Sequence, residues 1–87
     1  MAQRTEYAVK TIDAHGDVID VDHFDGKREA LTNADSVTLD GEVRAVIVDR
    51  LVWQVKHGGD EADRGMDTCV FVRGDKAALD AGGWSVD

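Results

Sequence analysis

The stretch that decides the fold is residues 42–56, EVRAVIVDRLVWQVK. Its apolar residues alternate with a period of two, and many are β-branched or aromatic, which is typical of a strand with one face on a core. Fifteen residues at about 3.3 Å each would span roughly 50 Å, whereas strands usually hold about five or six residues. The stretch therefore predicts a long third strand that either bends or pairs part of its length with another chain.

One charged residue, Asp49, interrupts the otherwise apolar parity of that stretch. A carboxylate in such a row indicates either a β-bulge or bend, or a buried ion pair with an arginine or lysine. We expect the bulge or bend, because it would also shorten the reach of the strand.

A β-hairpin and a short helix are predicted before the long strand. Residues 5–12 and Val18–Phe24 both alternate. Residues 13–17 between them supply a turn, with an aspartate that caps its own turn and a glycine, Gly16, that can take positive φ. Asp25 is then predicted as the N-cap of a helix of two or three turns. That helix carries a narrow apolar stripe formed by Ala30, Leu31 and Ala34.

After the long strand the sequence predicts a loop, a strand and a tail. Residues 57–65 are polar and rich in glycine, and residues 67–73 alternate in a way that indicates the last strand. Residues 77–79 are predicted to form one helical turn. Trp84 is expected to pack on the core, because a tryptophan left exposed on a free tail would gain no stabilisation from burial.

The element order β-β-α-β-β predicts an α+β fold. We expect one antiparallel four-stranded sheet with a short helix on one face and a long, bent third strand. Residues 1–87 are expected to form a single domain, with residues 1–4 and 80–87 as candidate flexible tails. Any unpaired length of the third strand would offer an edge to a second protomer, so we also expect a homodimer.

The net charge of the chain limits the classes of partner that we expect. The chain has eighteen acidic and ten basic residues, which give a formal net charge of −8. Direct nucleic-acid binding is not expected, because it needs a basic face. The acidic charge is consistent with a role in solubility, with a halophilic source or with a basic protein partner. No apolar stretch approaches the ~20 residues that cross a bilayer, and the N-terminus lacks a signal-peptide core. We expect a soluble protein of a bacterial host cytoplasm or a virion, without membrane contact.

No catalytic, metal-binding or cofactor-binding site is predicted, and the chain is expected not to be an enzyme. The acidic residues between 60 and 67 lack the spacing of a calcium-binding loop. His15, His23 and His57 show no sign of convergence, and Cys69 lies within a strand, where a small buried hydrophobe is its expected role.

The candidate partner-binding residues are carboxylates of the first hairpin and residues of the long strand. Asp20 and Asp22 share one face of a strand, about 7 Å apart by the strand repeat. Such a row of carboxylates can imitate a nucleic-acid backbone, or it can be the ordinary polar face of a hairpin. The full set of candidates is Asp17, Asp20, Asp22, Asp25, Arg50, Val52 and Trp53.

Residues 6–31, EYAVKTIDAHGDVIDVDHFDGKREAL, carry a resemblance to a known group of proteins. The stretch resembles the opening of small bacteriophage proteins of uncharacterised function, in which a hairpin rich in G-D-V/I-I-D precedes an aromatic residue and a short helix. The matching residues are Gly16, Asp17, Val18, Ile19, Asp20, Phe24, Glu29 and Ala30.

That resemblance covers roughly a third of the chain and includes no catalytic motif. It implies a phage accessory or virion-associated protein, and it carries no functional residue over to this sequence. Three functions stay open: protein binding through a sheet edge and an acidic face, inhibition of a host nucleic-acid-binding machine by charge mimicry, and a structural or decoration role in the virion.

Overall fold

A computed structural model describes residues 2–55, 62–64 and 67–86 of the chain. It confirms the predicted α+β class, with short helices on an antiparallel sheet. In chain order the elements are β1 (Ala2–Ile12), β2 (Val18–Phe24), α1 (Lys27–Ser36), β3 (Ala45–Val55), β4 (Ala62–Arg64), β5 (Thr68–Gly74) and α2 (Lys76–Gly82).

The long strand β3 is a central strand of the sheet. β1 pairs with all of it without a register shift, from Ala2 opposite Val55 to Ile12 opposite Ala45. β5 pairs with the first six residues of its other edge, and β4 pairs with the last three. The expectation that β3 outruns the partners within its own chain is therefore wrong, because β1 is as long as β3 and β4 continues the opposite edge.

Strand β2 lies at one end of the sheet, in the order β2-β1-β3-β4. It pairs with β1 from Tyr7 opposite Phe24 to Ile12 opposite Val18, with a register shift between Thr11 and Ile12. Within the part of the chain that the structure describes, no strand pairs with the outer edge of β2. Among the described residues, the outer edge of β2 is therefore not covered by a strand, and this edge belongs to the first hairpin rather than to β3.

Two small cores lie on opposite faces of the sheet, which we call the α1 face and the α2 face after the helices that cover them. The buried residues of the α1 face are Val9, Ala30, Ala34, Val46 and Val48. The apolar cluster buried on the α2 face consists of Ile12, Ala45, Ile47, Cys69, Ala78 and Leu79. Residues directly opposite on neighbouring antiparallel strands share a face, so the register assigns each paired strand residue to one side.

Asp49 is buried on the α2 face and accepts a hydrogen bond from the Lys10 ammonium, with Nζ 2.8 Å from Oδ2. A register shift also falls between Val48 and Asp49 where β3 pairs with β5, because Val70 is an extra residue in β5. The ion-pair alternative therefore describes Asp49. The expected outward turn of β3 at a bulge is wrong, because β3 pairs with β1 through this position without a register shift and the bulge lies in β5.

Three local predictions are corrected. Gly26, rather than Asp25, is the N-cap of α1; its backbone is extended, and no side chain at this position accepts an N–H of the first helical turn. Residues 62–64, predicted as loop, form β4, and the predicted single turn at 77–79 is the seven-residue helix α2. The predicted return of Trp84 is confirmed, since it packs on the α2-face core.

Residues 80–82, predicted as part of a flexible tail, complete α2. Among the residues that the structure describes, no helix has the length and apolar character needed to cross a membrane.

Candidate functional site

The outer edge strand β2 is exposed to an unusual degree for a strand of this sheet. Its first six residues are exposed, whereas β5, which also lies at an edge, has no exposed residue before Gly74. Three of the four exposed large apolar side chains of the described chain belong to β2, namely Val18 (40%), Ile19 (49%) and Val21 (38%). This concentration makes β2 the candidate site.

The hydrogen-bond ladder shows which backbone groups of β2 point outward. The Arg44 N–H donates to the Ile12 carbonyl at 2.8 Å, so Ile12 directs its backbone toward β3. Backbone groups along a strand point alternately to its two sides, and Thr11 therefore faces β2, where it pairs with Asp20. It follows that Asp20 and Asp22 bond to β1, while Val21 and His23 direct their N–H and C=O groups outward.

A side-chain contact supports this assignment. The Val21 N–H donates to Oδ1 of Asp20 at 2.9 Å, on the protein surface. The Asp20 carboxylate thus covers an edge donor that β1 does not use, as short polar side chains often do for nearby backbone groups.

The two faces of β2 differ in chemistry. Asp20 and Asp22 lie opposite Thr11 and Val9, on the α1 face, and both are exposed. Val21 lies opposite Lys10, on the α2 face. The edge therefore presents carboxylates on one side and an apolar side chain on the other.

The cation opposite Val21 does not neutralise those carboxylates. The Lys10 ammonium is held by Asp49 on the α2 face and lies 5.5 Å from the centroid of the Trp84 ring. His23, also on the α2 face, has Nδ1 3.7 Å from Oε2 of Glu6, an ion pair that forms only when the imidazole is protonated.

The structure brings four of the predicted partner-binding residues to one edge. Asp20 and Asp22 lie on β2, while Asp17 in the preceding turn and Asp25 in the following connection are exposed beside its two ends. The Asp13 carboxylate orders that turn by accepting the N–H groups of His15 and Asp17, as the sequence predicted for an aspartate that caps its own turn.

The other three candidates lie on the central strand β3, with β1 between them and the β2 edge. Arg50 is exposed and Val52 half-buried on the α1 face. Trp53 lies on the opposite face, with the Arg4 guanidinium 5.8 Å from its ring centroid. The seven candidates therefore do not form a single surface.

Sequence reasoning missed the apolar residues of the edge. Ile19 and Val21 alternate with Asp20 and Asp22, and such alternation predicts that the apolar residues face a core. Only the strand order shows that β2 pairs with a single strand within the described part of the chain, and the sequence holds no local signal for that.

Two carboxylates with lowered pKa lie away from this edge. The Arg44 guanidinium, 2.7 Å from Oδ2 of Asp75, lowers the pKa of that carboxyl, with a smaller contribution from the Ala77 N–H. The pKa of Asp40 is lowered by the N–H groups of Val43 and Glu42. Asp75 caps the N-terminus of α2, and Asp40 stabilises the turn before β3.

Three other features of the chain were candidates for a site: a metal-binding group, the acidic loop and a surface groove. The described residues contain no group of three or more His, Cys, Asp or Glu side chains that could hold a metal ion. The predicted acidic loop falls largely at residues 56–61 and 65–66, outside the described residues. A shallow groove of about 560 Å³ follows the exposed side of α1, lined by Phe24, Arg28, Glu29, Thr32, Asn33 and Ser36.

Comparison with protein-family models, with curated proteins and with solved structures found no match to this chain. The candidate site therefore depends on the geometry of β2, and the resemblance to phage proteins stays a prediction.

Proposed function

We propose that this protein is a non-enzymatic, phage-type accessory domain that binds a protein partner by adding an extended segment of that partner to the outer edge of β2. The observation that carries the proposal is the outward direction of the backbone groups of Val21 and His23. In strand addition, main-chain hydrogen bonds provide affinity and alternate side chains provide specificity.

The exposed apolar residues of β2 indicate an edge that binds a partner rather than one that is only protected from aggregation. Edge strands are commonly protected from aggregation by charged side chains, and Asp20 and Asp22 have that character. Protection alone gives no reason to expose Val18, Ile19 and Val21 on the same strand. Apolar residues grouped on a surface are typical of interaction sites.

Substitution of Val21 tests this proposal. Val21→Pro removes the outward N–H and leaves the ladder between β1 and β2 intact, since proline is tolerated on an edge strand where its nitrogen faces solvent. Val21→Thr is the matched control, because it keeps the N–H and a β-branched side chain. Each tagged full-length protein would be expressed in its native cell, and captured proteins would be quantified by mass spectrometry.

We expect the wild type and Val21→Thr to retain the same partner, and Val21→Pro to lose it while keeping a wild-type circular dichroism spectrum. Retention of the partner by a folded Val21→Pro variant would contradict strand addition at β2.

A second candidate function is inhibition of a nucleic-acid-binding protein by charge mimicry. The four exposed aspartates along and beside β2, with Asp20 and Asp22 about 7 Å apart, favour it. This function predicts that duplex DNA competes with the protein for its captured partner, and that binding weakens steeply with added salt. Binding unaffected by DNA would exclude mimicry and leave strand addition standing.

A further inference from the structure

The following inference rests on the proposed strand addition at β2 and concerns the chemistry of the added segment. We propose that this segment carries lysine or arginine at two alternate positions, opposite Asp20 and Asp22, with an apolar residue between them opposite Val21. Charge complementarity with the exposed carboxylates of β2 and the direction of its backbone groups point to this pattern.

The ladder geometry places the carboxylates where a partner's side chains come closest. Val21 and His23 would form the hydrogen-bonded pairs with an added antiparallel strand, so Asp20 and Asp22 would fall in the non-hydrogen-bonded pairs. In those pairs the Cα atoms are only about 4.5 Å apart, against about 5.5 Å in the others. Cations at alternate positions would match the carboxylate spacing of about 7 Å.

The hydrogen bond from the Val21 N–H to Asp20 adds a second requirement. An incoming strand must supply its own carbonyl to that N–H, which releases the Asp20 carboxylate. The released carboxylate is exposed and returns to water, and a lysine or arginine facing it would add a favourable cross-strand charge pair. An apolar residue at that position would add no such pair, and an acidic one would add repulsion.

The same geometry disfavours a second copy of this chain as the occupant. An antiparallel pairing of two β2 edges centred on Val21 would set Asp20 of each copy opposite Asp22 of the other. Like charges directly opposite each other on neighbouring strands are destabilising. The predicted homodimer through the sheet edge is therefore not what this edge favours.

Defined peptides test the proposal. The peptide Ser-Thr-Lys-Val-Lys-Thr-Ser has lysines at alternate positions, whereas Ser-Thr-Lys-Lys-Val-Thr-Ser has the same composition and charge with lysines on both faces. A third peptide replaces both lysines of the first with glutamate. Each would be titrated into the ¹⁵N-labelled full chain, and binding would be followed at the backbone amides of Val21 and His23.

We expect the alternating-lysine peptide to bind about two- to fivefold more tightly than the shuffled one, since the two differ by one cross-strand charge pair and such a pair is worth up to about fivefold. Asp20→Asn with Asp22→Asn should abolish the preference. Asp35→Asn removes an exposed carboxylate from α1 instead, and should leave the preference unchanged.

The outcomes separate this inference from the proposed function. If all three peptides bind equally and shift the Val21 and His23 amides, strand addition stands and the basic pattern is overturned. If none shifts those amides, both proposals are overturned. A concentration-dependent dimer of the chain that protects the Val21 amide from exchange would also overturn the inference, because the occupant would then be a second copy.

Discussion

The ammonium of Lys10 and the carboxylate of Asp49 form an ion pair between β1 and β3, with Nζ 2.8 Å from Oδ2. Both side chains are largely removed from solvent, at 19% and 7% exposure. The pair lies on the α2 face, next to the Trp84 ring. It accounts for the only charge in the apolar row of β3, and it keeps Lys10 from neutralising the carboxylates of β2.

Breaking this ion pair should destabilise the fold. Asp49→Ala leaves the Lys10 ammonium without its partner in a mostly buried position, and we expect a loss of about 3 kcal/mol in the free energy of unfolding. Urea denaturation followed by circular dichroism measures it.

The paired replacement serves as the control. Lys10→Met combined with Asp49→Leu removes both charges, and it should recover most of the stability lost in Asp49→Ala, because a buried ion pair is often replaceable by apolar residues of similar size. A double variant no more stable than Asp49→Ala would show that the loss comes from packing rather than from an unpaired charge.

Amide hydrogen exchange in the free protein should alternate along β2. The amides of Asp20 and Asp22 bond to β1 and should exchange slowly. Those of Val21 and His23 face solvent, where only the Asp20 carboxylate covers the Val21 N–H, and should exchange much faster. Exchange measured residue by residue by NMR checks this, and uniform protection of all four amides would mean that the outer edge of β2 is covered.

Two glycines with positive φ should respond differently to alanine. Gly83, with φ of 72°, has open space where the added methyl group would lie, and Gly83→Ala should cost about 1 kcal/mol for the left-handed conformation alone. Gly16, with φ of 83°, would place its new Cβ against the backbone of Gly82.

We therefore expect Gly16→Ala to cost at least about 2 kcal/mol, since overpacking adds to the conformational cost. The indole N–H of Trp84, which donates to the Gly16 carbonyl at 2.9 Å, should shift in the NMR spectrum of Gly16→Ala and stay in place in Gly83→Ala. Equal losses of stability in urea denaturation would contradict the close approach of the turn to α2.

The pH dependence of stability should include a contribution from Asp75. Its pKa is lowered in the folded protein, chiefly by the Arg44 guanidinium, so the ionised form stabilises the fold above the ordinary carboxyl pKa. That contribution is lost as the pH falls through the folded-state pKa. The free energy of unfolding should therefore decline less steeply below about pH 4 in Asp75→Asn than in the wild type.

Arg44→Gln should reproduce much of that flattening, because it removes the largest cause of the shift. Urea denaturation at a series of pH values measures both variants. Identical pH profiles for wild type and Asp75→Asn would refute the role of this pair.

The sequence was sufficient for elements whose pattern is local. The strand Val18–Phe24 has the predicted bounds, and the turn before it contains the predicted glycine with positive φ at Gly16. The alternation of apolar and charged residues identified this strand although its first six residues are exposed, and turn residues mark its start.

Features that depend on contacts distant in sequence could not be predicted. The pairing of β1 along all of β3 depends on strand register, and the partner of Asp49 lies 39 residues away. The three-residue strand β4 lies in a polar, glycine-containing region with no pattern of its own. The sequence placed the free edge on the long third strand instead of β2 for the same reason, because the order of strands in a sheet cannot be predicted from each strand separately.

Hydrogen exchange of the peptide-bound protein tests the central claim, that the outer edge of β2 is the binding surface, most directly. With the alternating-lysine peptide at saturation, the amides of Val21 and His23 should become protected while those of Asp20 and Asp22 stay as they were. Saturable binding that leaves Val21 and His23 unprotected would contradict the account.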